Sequence, residues 1–532
     1  MRMTRLRSRS TRPSSPSHRK CNTSNSVKVK GVYFDFDFFL SLFVVPWALY
    51  LSGSSKWVYV IFLDFLFLLL EHLHGLGTLG PSVLVGLMVC ILRLLYDYRE
   101  SLSFVYGVIL CVFFVLAWTG LRSRGIYWCN HNKSEVLVLL EVLTLCGVSW
   151  AWEGFQRWSF NYSPVDGVKG EVVVDEGWRA AWVLLGGTCV ASLCVLSGCA
   201  MGIGRTPATS SPLVWGTLSI VTLVELQWLN VWVFRAHGNC FVWLLNLSLN
   251  GKTVPHFWAI GAWWLLVLAL TLPFIPRAAP TTILGLRLSC DQTNLLLRKA
   301  YHFVSVLIFL PPLCLLHLVP GKLSLPLHGF LAFSAAGVVK LLSYMEVIRA
   351  LQPHPSSLPR LVHTLFTRHT DARELLAPFF LTHLYLLIGC VAPLWAPLGG
   401  SAILKDGLVV SASGVLAVGL GDAAAAMGGT LGAAVWGKAA CRPWGVGGGK
   451  KTVFGTLSYM ALVASLGGGV ITVVHCLSGG EERGVPLGAQ LLTLLISVLC
   501  GALGEGLTLG VDNAVVPVLA WGAASLTLGH FK

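Results

Sequence analysis

A lone carboxylate, Asp422, sits among small residues in Gly419-Leu-Gly421-Asp422-Ala-Ala-Ala-Ala-Met-Gly428-Gly429, inside an apolar run. An acid in an apolar span is costly to bury and is functional by default, and its small neighbours let a backbone or ligand approach closely. Metal ligation and proton abstraction are the chemistries such a group supplies. Downstream, Gly445-Val-Gly447-Gly448-Gly449-Lys450-Lys451-Thr452-Val-Phe-Gly455-Thr456 has the composition of a phosphate cradle. Its glycines free backbone N–H groups to turn toward an anion, and its lysines add charge. It departs from the P-loop pattern, because Lys450 stands where a Gly precedes Lys-Thr and no strand leads into it. Near the last span come Glu505 and then Asp512-Asn513. Two helical turns separate the acids, so they can face one way, and carboxylates that approach triphosphate oxygens hold Mg²⁺. Arg298-Lys299-x-x-His302 places Arg298 and His302 on one helix face at i,i+4; read alone it is also an ordinary positive-inside anchor. Glu346-x-x-Arg349 suits a structural i,i+3 ion pair.

The elements that must position these groups are membrane spans. The 532 residues are 55% hydrophobic and 12% charged, about half the charged content of a soluble domain, which excludes a set of soluble domains. An all-α polytopic membrane protein remains. About 20 apolar residues cross a bilayer as a helix, and the chain holds about 15 such runs between Phe38 and its C-terminus. Eight lie near 38–51, 57–71, 77–96, 103–120, 135–152, 179–203, 212–234 and 256–275. Seven follow near 300–319, 326–346, 376–396, 408–428, 452–476, 487–504 and 507–530. The division is therefore a basic tail at 1–30, N-terminal helices at 31–275 and a C-terminal catalytic region at 276–532.

Charge orients the C-terminal region. Placing 287–299 in the cytosol also places 347–375 and 429–451 there. Those segments hold eleven Lys/Arg, against three (Lys322, Lys405, Arg483) in the loops of the other side, a clear positive-inside bias. Nearly every polar cluster of this region then falls on one membrane face. A transporter would place polar groups at the midplane between related repeats.

Of the net charge of +14, nine positive residues and no acid lie in 1–30. Such a tail orients the first span and meets anionic lipid; a transit peptide is the other reading. It has no aromatic residues to stack on bases, which argues against nucleic-acid binding. The 15 cysteines are scattered singly with no CxxC, so they read as small apolar residues in spans. Gly75-x-Gly77-x-x-Gly80 lacks a βαβ context. Asp64, Glu71, His72 and His74 read as a wet helix end, and the sequons at Asn22, Asn132, Asn161 and Asn246 are short patterns.

Acids and bases thus collect at one membrane surface, in lipid surroundings, with the equipment for phosphoryl or nucleotidyl transfer to a lipid headgroup. Here the chain resembles the dolichol kinases, the CTP-dependent polyprenol kinase family. The resemblance rests on Arg298-Lys299-x-x-His302, on Pro378-x-x-x-Thr382-His383-x-Tyr385-Leu386-Leu387-x-Gly389 with Pro393 and Trp395, and on Gly414-Val-Leu-Ala-Val-Gly-x-Gly421-Asp422. It continues through Lys450-Lys451-Thr452-x-x-Gly455-Thr456 and Asp512-Asn513 with Pro517, in matching order over about 280–525.

The resemblance implies an endoplasmic reticulum membrane enzyme that transfers the γ-phosphate of CTP to dolichol. Gly421, Asp422, Lys450, Lys451, Thr452, Gly455 and Thr456 would then form the cytosolic nucleotide site, with Asp422 or a neighbouring acid as base. Mg²⁺ would be held by some of Asp422, Glu505 and Asp512, while Arg298, His302 and Lys451 steady developing charge. The family reads Glu where Phe454 stands, and the stretch from Gly432 to Lys450 is unusually long and rich in Gly and Trp. A phytol-kinase-like or CDP-lipid-forming enzyme, or a non-enzymatic transporter, are the alternatives.

Overall fold

The computed structural model describes most of residues 207–271, then 290–319, 321–351, 382–395, 407–437, 451–479, 485–507 and 512–529, with shorter stretches between 176 and 191, at 282–287 and at 380. The basic tail, the first five predicted spans, the segment 352–379 and the glycine run with Lys450 lie outside the described residues. So do Asp64, Glu71, His72, His74 and the first three sequons.

The described residues are almost wholly helical. Helix α1 spans Pro207–Trp228 and continues through a wider π-helical stretch, Leu229–Val233. A short apolar helix absent from the sequence reading, α2 (Cys240–Leu249), precedes α3 (Val254–Thr271). A two-residue antiparallel pair, Thr282–Ile283 with Leu286–Arg287, is a small exception to the all-α expectation. Then come α4 (Cys290–Leu318), α5 (Gly321–Leu351), α6 (Thr382–Trp395) and α7 (Leu408–Gly414). A second π-helical stretch, Val415–Asp422, leads into α8 (Ala423–Trp436). Helix α9 (Val453–Leu462) passes through a third, Val463–Gly467, into α10 (Gly468–Leu477). Helices α11 (Leu487–Leu507) and α12 (Asp512–Gly529) close the chain.

Among the described residues, seven segments are long and apolar enough to cross a membrane, and three shorter apolar helices accompany them. This arrangement follows from the solvent. In hydrocarbon every backbone polar group must be satisfied within the protein, which helices achieve segment by segment. The chain is a multi-pass membrane protein on this ground.

Where prolines interrupt that satisfaction, neighbouring helices restore it. Pro311 and Pro312 lie inside α4 and offer no N–H to the carbonyls four residues back, those of Leu307 and Ile308. Two adjacent indoles from α3 take their place. Trp263 Nε1 donates to Leu307 O at 2.6 Å and Trp264 Nε1 to Ile308 O at 2.9 Å. Pro517 likewise releases the Asn513 carbonyl in α12, and Gly389 of α6 approaches that oxygen so closely that any side chain at 389 would overlap it. Trp395, at the end of α6, donates to Ala332 O of α5 at 3.1 Å.

A buried ion pair ties the N-terminal helices to the C-terminal ones. Lys340 of α5 contacts Glu225 of α1, and its ammonium lies 4.9 Å from the centre of the Tyr344 ring. The core runs along α4 to α7, α11 and α12, where Leu313, Leu316, Leu327, Leu331, Leu394 and Leu408 are fully enclosed. Cys240, Cys314, Cys390, Cys476 and Cys500 are free thiols, of which Cys240 and Cys390 are buried and Cys476 is exposed.

Candidate active site

Five segments converge at one end of this core: the start of α4, the junction of the second π-helical stretch with α8, the start of α9, the end of α11 and the start of α12. The π-helical winding of Val415–Asp422 ends on Asp422 itself. Such wide turns are rare and concentrate at functional sites, because they re-aim side chains off the α-helical register. Here the result is an acid only 5% exposed, turned toward α4.

Two groups from α4 meet it. Lys299 Nζ forms an ion pair with Asp422 Oδ2, and His302 Nδ1 lies 3.2 Å from the same oxygen. His302 Nδ1 is also 3.1 Å from the carbonyl of Val418, so a proton on Nδ1 faces both acceptors. Lys299 and His302 are i,i+3 neighbours on one helix face, and a single face of α4 therefore supplies both partners. Arg298, one residue earlier, is half-buried beside them. The i,i+4 reading singled out Arg298 and His302 and left Lys299 without a role, although it stands in the same motif.

The second half of the cluster gathers around Lys451. Its ammonium contacts Asp512 Oδ2 and lies 3.1 Å from Glu505 Oε1. Burial by itself would lower the Lys451 pKa, but Asp512, Glu505 and Asp422, in that order, hold it above the ordinary lysine value. Asp422, Glu505 and Asp512 each offer one carboxylate oxygen, and these three oxygens lie within 4.8 Å of one another. The structure thus brings together the three acids that the sequence reading named as cation ligands. They come from three separate segments.

Oxygen ligands are what Mg²⁺ takes, at ~2.1 Å, with several sites left to water and phosphate. Three carboxylate oxygens this close fit such a cation after a contraction of about 1 Å.

The segment that follows Lys451 opens with a helix cap. Thr452 is the N-cap of α9, its Oγ1 accepting from Gly455 N at 3.1 Å. Thr456 Oγ1 lies 3.4 Å from the Thr452 carbonyl. Gly455 passes so near Ala425 of α8 that a Cβ there would stand 2.8 Å from its carbonyl oxygen. At Gly421 a Cβ would run into the ring of Tyr459, a fully buried side chain of α9. Gly455 thus permits the close approach of α9 to α8, and Gly421 that of the π-helical stretch to α9, which together set Asp422 near Lys451.

Sequence comparison supplies relatives. The chain is 27% identical over 452 residues to the dolichol kinase sec59 of Schizosaccharomyces pombe, covering 84% of this chain and 73% of that protein. It is 32% identical over 234 residues to the dolichol kinase EVAN of Arabidopsis thaliana. The chain is a relative of the dolichol kinases. The match to the plant dolichol kinase covers 43% of this chain and 35% of that protein. With the Bos taurus dolichol kinase, 27% identity extends over 305 residues, 56% of this chain and 48% of the relative. The chain thus spans about half or less of the plant and mammalian dolichol kinases it matches. No protein-family profile and no solved structure matches it.

Phe454, which stands where the resemblance leads to an expected Glu, takes part in packing between helices. The Phe454 ring packs on Trp436 at the end of α8, centroids 4.8 Å apart. Carboxylates at Lys451 come instead from α11 and α12. Lys450 lies outside the described residues.

The remaining polar motifs sit apart from this cluster. Glu346 and Arg349 form the expected i,i+3 pair, with Arg349 Nε and Nη2 donating at 2.8 and 2.6 Å. The Phe380 backbone N–H also donates to Glu346, and the Arg349 guanidinium lies 3.6 Å from the Phe380 ring centre. Asn246 of the one described sequon pairs instead with His237 Nδ1 at 3.3 Å.

Proposed function

We propose that this chain is a dolichol kinase of the endoplasmic reticulum membrane. It transfers the γ-phosphate of CTP to the terminal hydroxyl of dolichol, giving dolichyl phosphate for protein glycosylation and glycolipid anchor synthesis. The observation that carries the reading is the cluster of Asp422, Glu505 and Asp512, with their oxygens within 4.8 Å of one another and Lys299 and Lys451 in contact with them. The names of the relatives point to the same reaction.

In this reading the site faces the cytosol, about fifteen helices cross the membrane, and 276–532 is the catalytic region. Lys451, with Lys450 preceding it in the sequence, neutralises the CTP phosphates. Asp422, Glu505 and Asp512 hold the divalent cation. A divalent cation held there would supply charge neutralisation to the polyphosphate.

Asp422 is the acid assigned to accept the proton of the dolichol hydroxyl, as a buried carboxylate at the end of an apolar stretch of the chain. Lys299 and His302 orient its Oδ2 and, with Arg298, offset charge that develops on the transferring phosphoryl group. The polyprenol tail stays in lipid. Leu491, Leu495, Leu499 and Leu503 form an exposed stripe at i,i+4 spacing along α11 toward Glu505, an apolar face for an isoprenoid chain.

The test is transfer of label from γ-labelled CTP to dolichol by membranes expressing the chain. ATP serves as competing donor, and phytol and phosphatidate as competing acceptors. Transfer that requires CTP, dolichol and Mg²⁺ is expected. Label appearing only in another lipid would replace dolichol as the acceptor, and no transfer from inserted protein would overturn the assignment.

A further inference from the structure

We propose that Lys451 is a displaceable counter-ion. It holds the three-acid cluster closed to a divalent cation until a polyphosphate draws its ammonium away. This inference rests on the reading of Asp422, Glu505 and Asp512 as cation ligands.

The Lys451 ammonium stands on two of the oxygens a cation needs, contacting Asp512 and lying 3.1 Å from Glu505 Oε1. A cation bound to those oxygens at ~2.1 Å would lie about 3 Å from an ammonium that kept both contacts. Two positive charges at that separation, in a site largely shielded from water, repel strongly. Lysine and cation therefore compete for the same place.

The two lysines of the cluster are not equivalent. Lys299 is held inside α4, its side chain 14% exposed, and touches Asp422 alone among the three acids. The Lys451 side chain is 32% exposed and belongs to the residue just before the Thr452 cap, outside α9. Its backbone is not locked in a helix, and its side chain is the more exposed of the two.

A polyphosphate carries the negative charge that Lys451 would lose on leaving Glu505 and Asp512. Nucleotide and cation then bind with mutual reinforcement, each tightening the other by the same factor, as linkage requires. A cluster closed in this way resists loading with metal alone.

The experiment measures Mn²⁺ binding to the purified, detergent-solubilised full chain without nucleotide, by loss of the paramagnetic signal of free Mn²⁺. Wild type is expected to bind weakly. Lys451→Ala and Lys451→Gln should bind at least tenfold more tightly, and Lys451→Arg should stay at the wild-type level. Lys299→Gln should gain less than Lys451→Gln. Adding Asp512→Asn to Lys451→Gln should remove the gain. Thermal unfolding of each variant establishes that it is folded. Equal affinity in wild type and both neutral Lys451 variants would overturn the counter-ion role and leave the cation reading standing. Wild type binding Mn²⁺ at micromolar concentration on its own would do the same, without reliance on any variant. No Mn²⁺ bound at millimolar metal by wild type or any variant would overturn both.

Discussion

Lys299 and Asp422 stand 123 positions apart in the chain and form a buried ion pair, one from the start of α4 and the other from the end of a π-helical stretch. Removing one partner of such a pair leaves a buried charge uncompensated, which costs about 3–5 kcal/mol. Lys299→Met should therefore lower the amount of folded protein and its thermal midpoint. Lys299→Met with Asp422→Asn should recover both, and neither variant should recover turnover. Asp422→Asn alone leaves Lys299 uncompensated and should also lower the thermal midpoint, while the inserted, folded fraction should lose about 10²–10⁴-fold in phosphate transfer, the range for a removed general base. Near-normal transfer by Asp422→Asn would take that residue out of the mechanism.

The indole contacts between α3 and α4 predict a specific rescue. Trp263→Phe keeps most of the ring but strips the Leu307 carbonyl of its donor. The bond lies on the protein surface, and in hydrocarbon no water replaces the indole, so the orphaned acceptor costs about 1–3 kcal/mol. Pro311→Ala restores an N–H four residues along the helix. The double variant should regain the thermal midpoint that Trp263→Phe loses. A double variant as unstable as Trp263→Phe would mean that the indole acts by packing alone.

Glu225 and Lys340 bind α1 to α5 far from the acid cluster in sequence, and the pair is buried. Lys340→Met should destabilise by about 3–5 kcal/mol, whereas Glu225→Met with Lys340→Met should be close to wild type. CTP affinity of the folded fraction should not change in either. A shift in CTP affinity would tie this pair to the site.

Gly421→Ala should be more damaging than its size implies, because the new methyl meets the enclosed Tyr459 ring. Overpacking of this kind typically costs about 1–3 kcal/mol, and it moves the backbone adjoining Asp422. Turnover is expected to fall more than folded yield. Equal losses in the two would reduce Gly421 to a packing residue.

Much of this protein is legible in one dimension. Run length and apolar content determine where the spans lie, because a bilayer of fixed thickness demands about 20 apolar residues per crossing. The apolar runs near 408–428, 452–476 and 487–504 correspond to helices in the structure for that reason. The acids Asp422, Glu505 and Asp512 stand out in sequence because charge in such runs is rare and expensive. Helix α2 escaped notice because its ten residues fall short of a crossing, and the three π-helical stretches leave no periodic signature in apolar sequence.

What the sequence could not decide is which cation meets which acid. Spacing specifies neighbours at i,i+3 and i,i+4 on one helix, as with Glu346 and Arg349. It carries no information on the rotation of one helix about its axis relative to another. That rotation was decided by tertiary packing: the π-helical winding before Asp422, the Gly421–Tyr459 approach, and the glycine and indole contacts at proline-freed carbonyls. These turned Lys299 to Asp422 and set Lys451 between Glu505 and Asp512. The residues able to do the chemistry are written in the chain; their partnership exists only once the helices have packed.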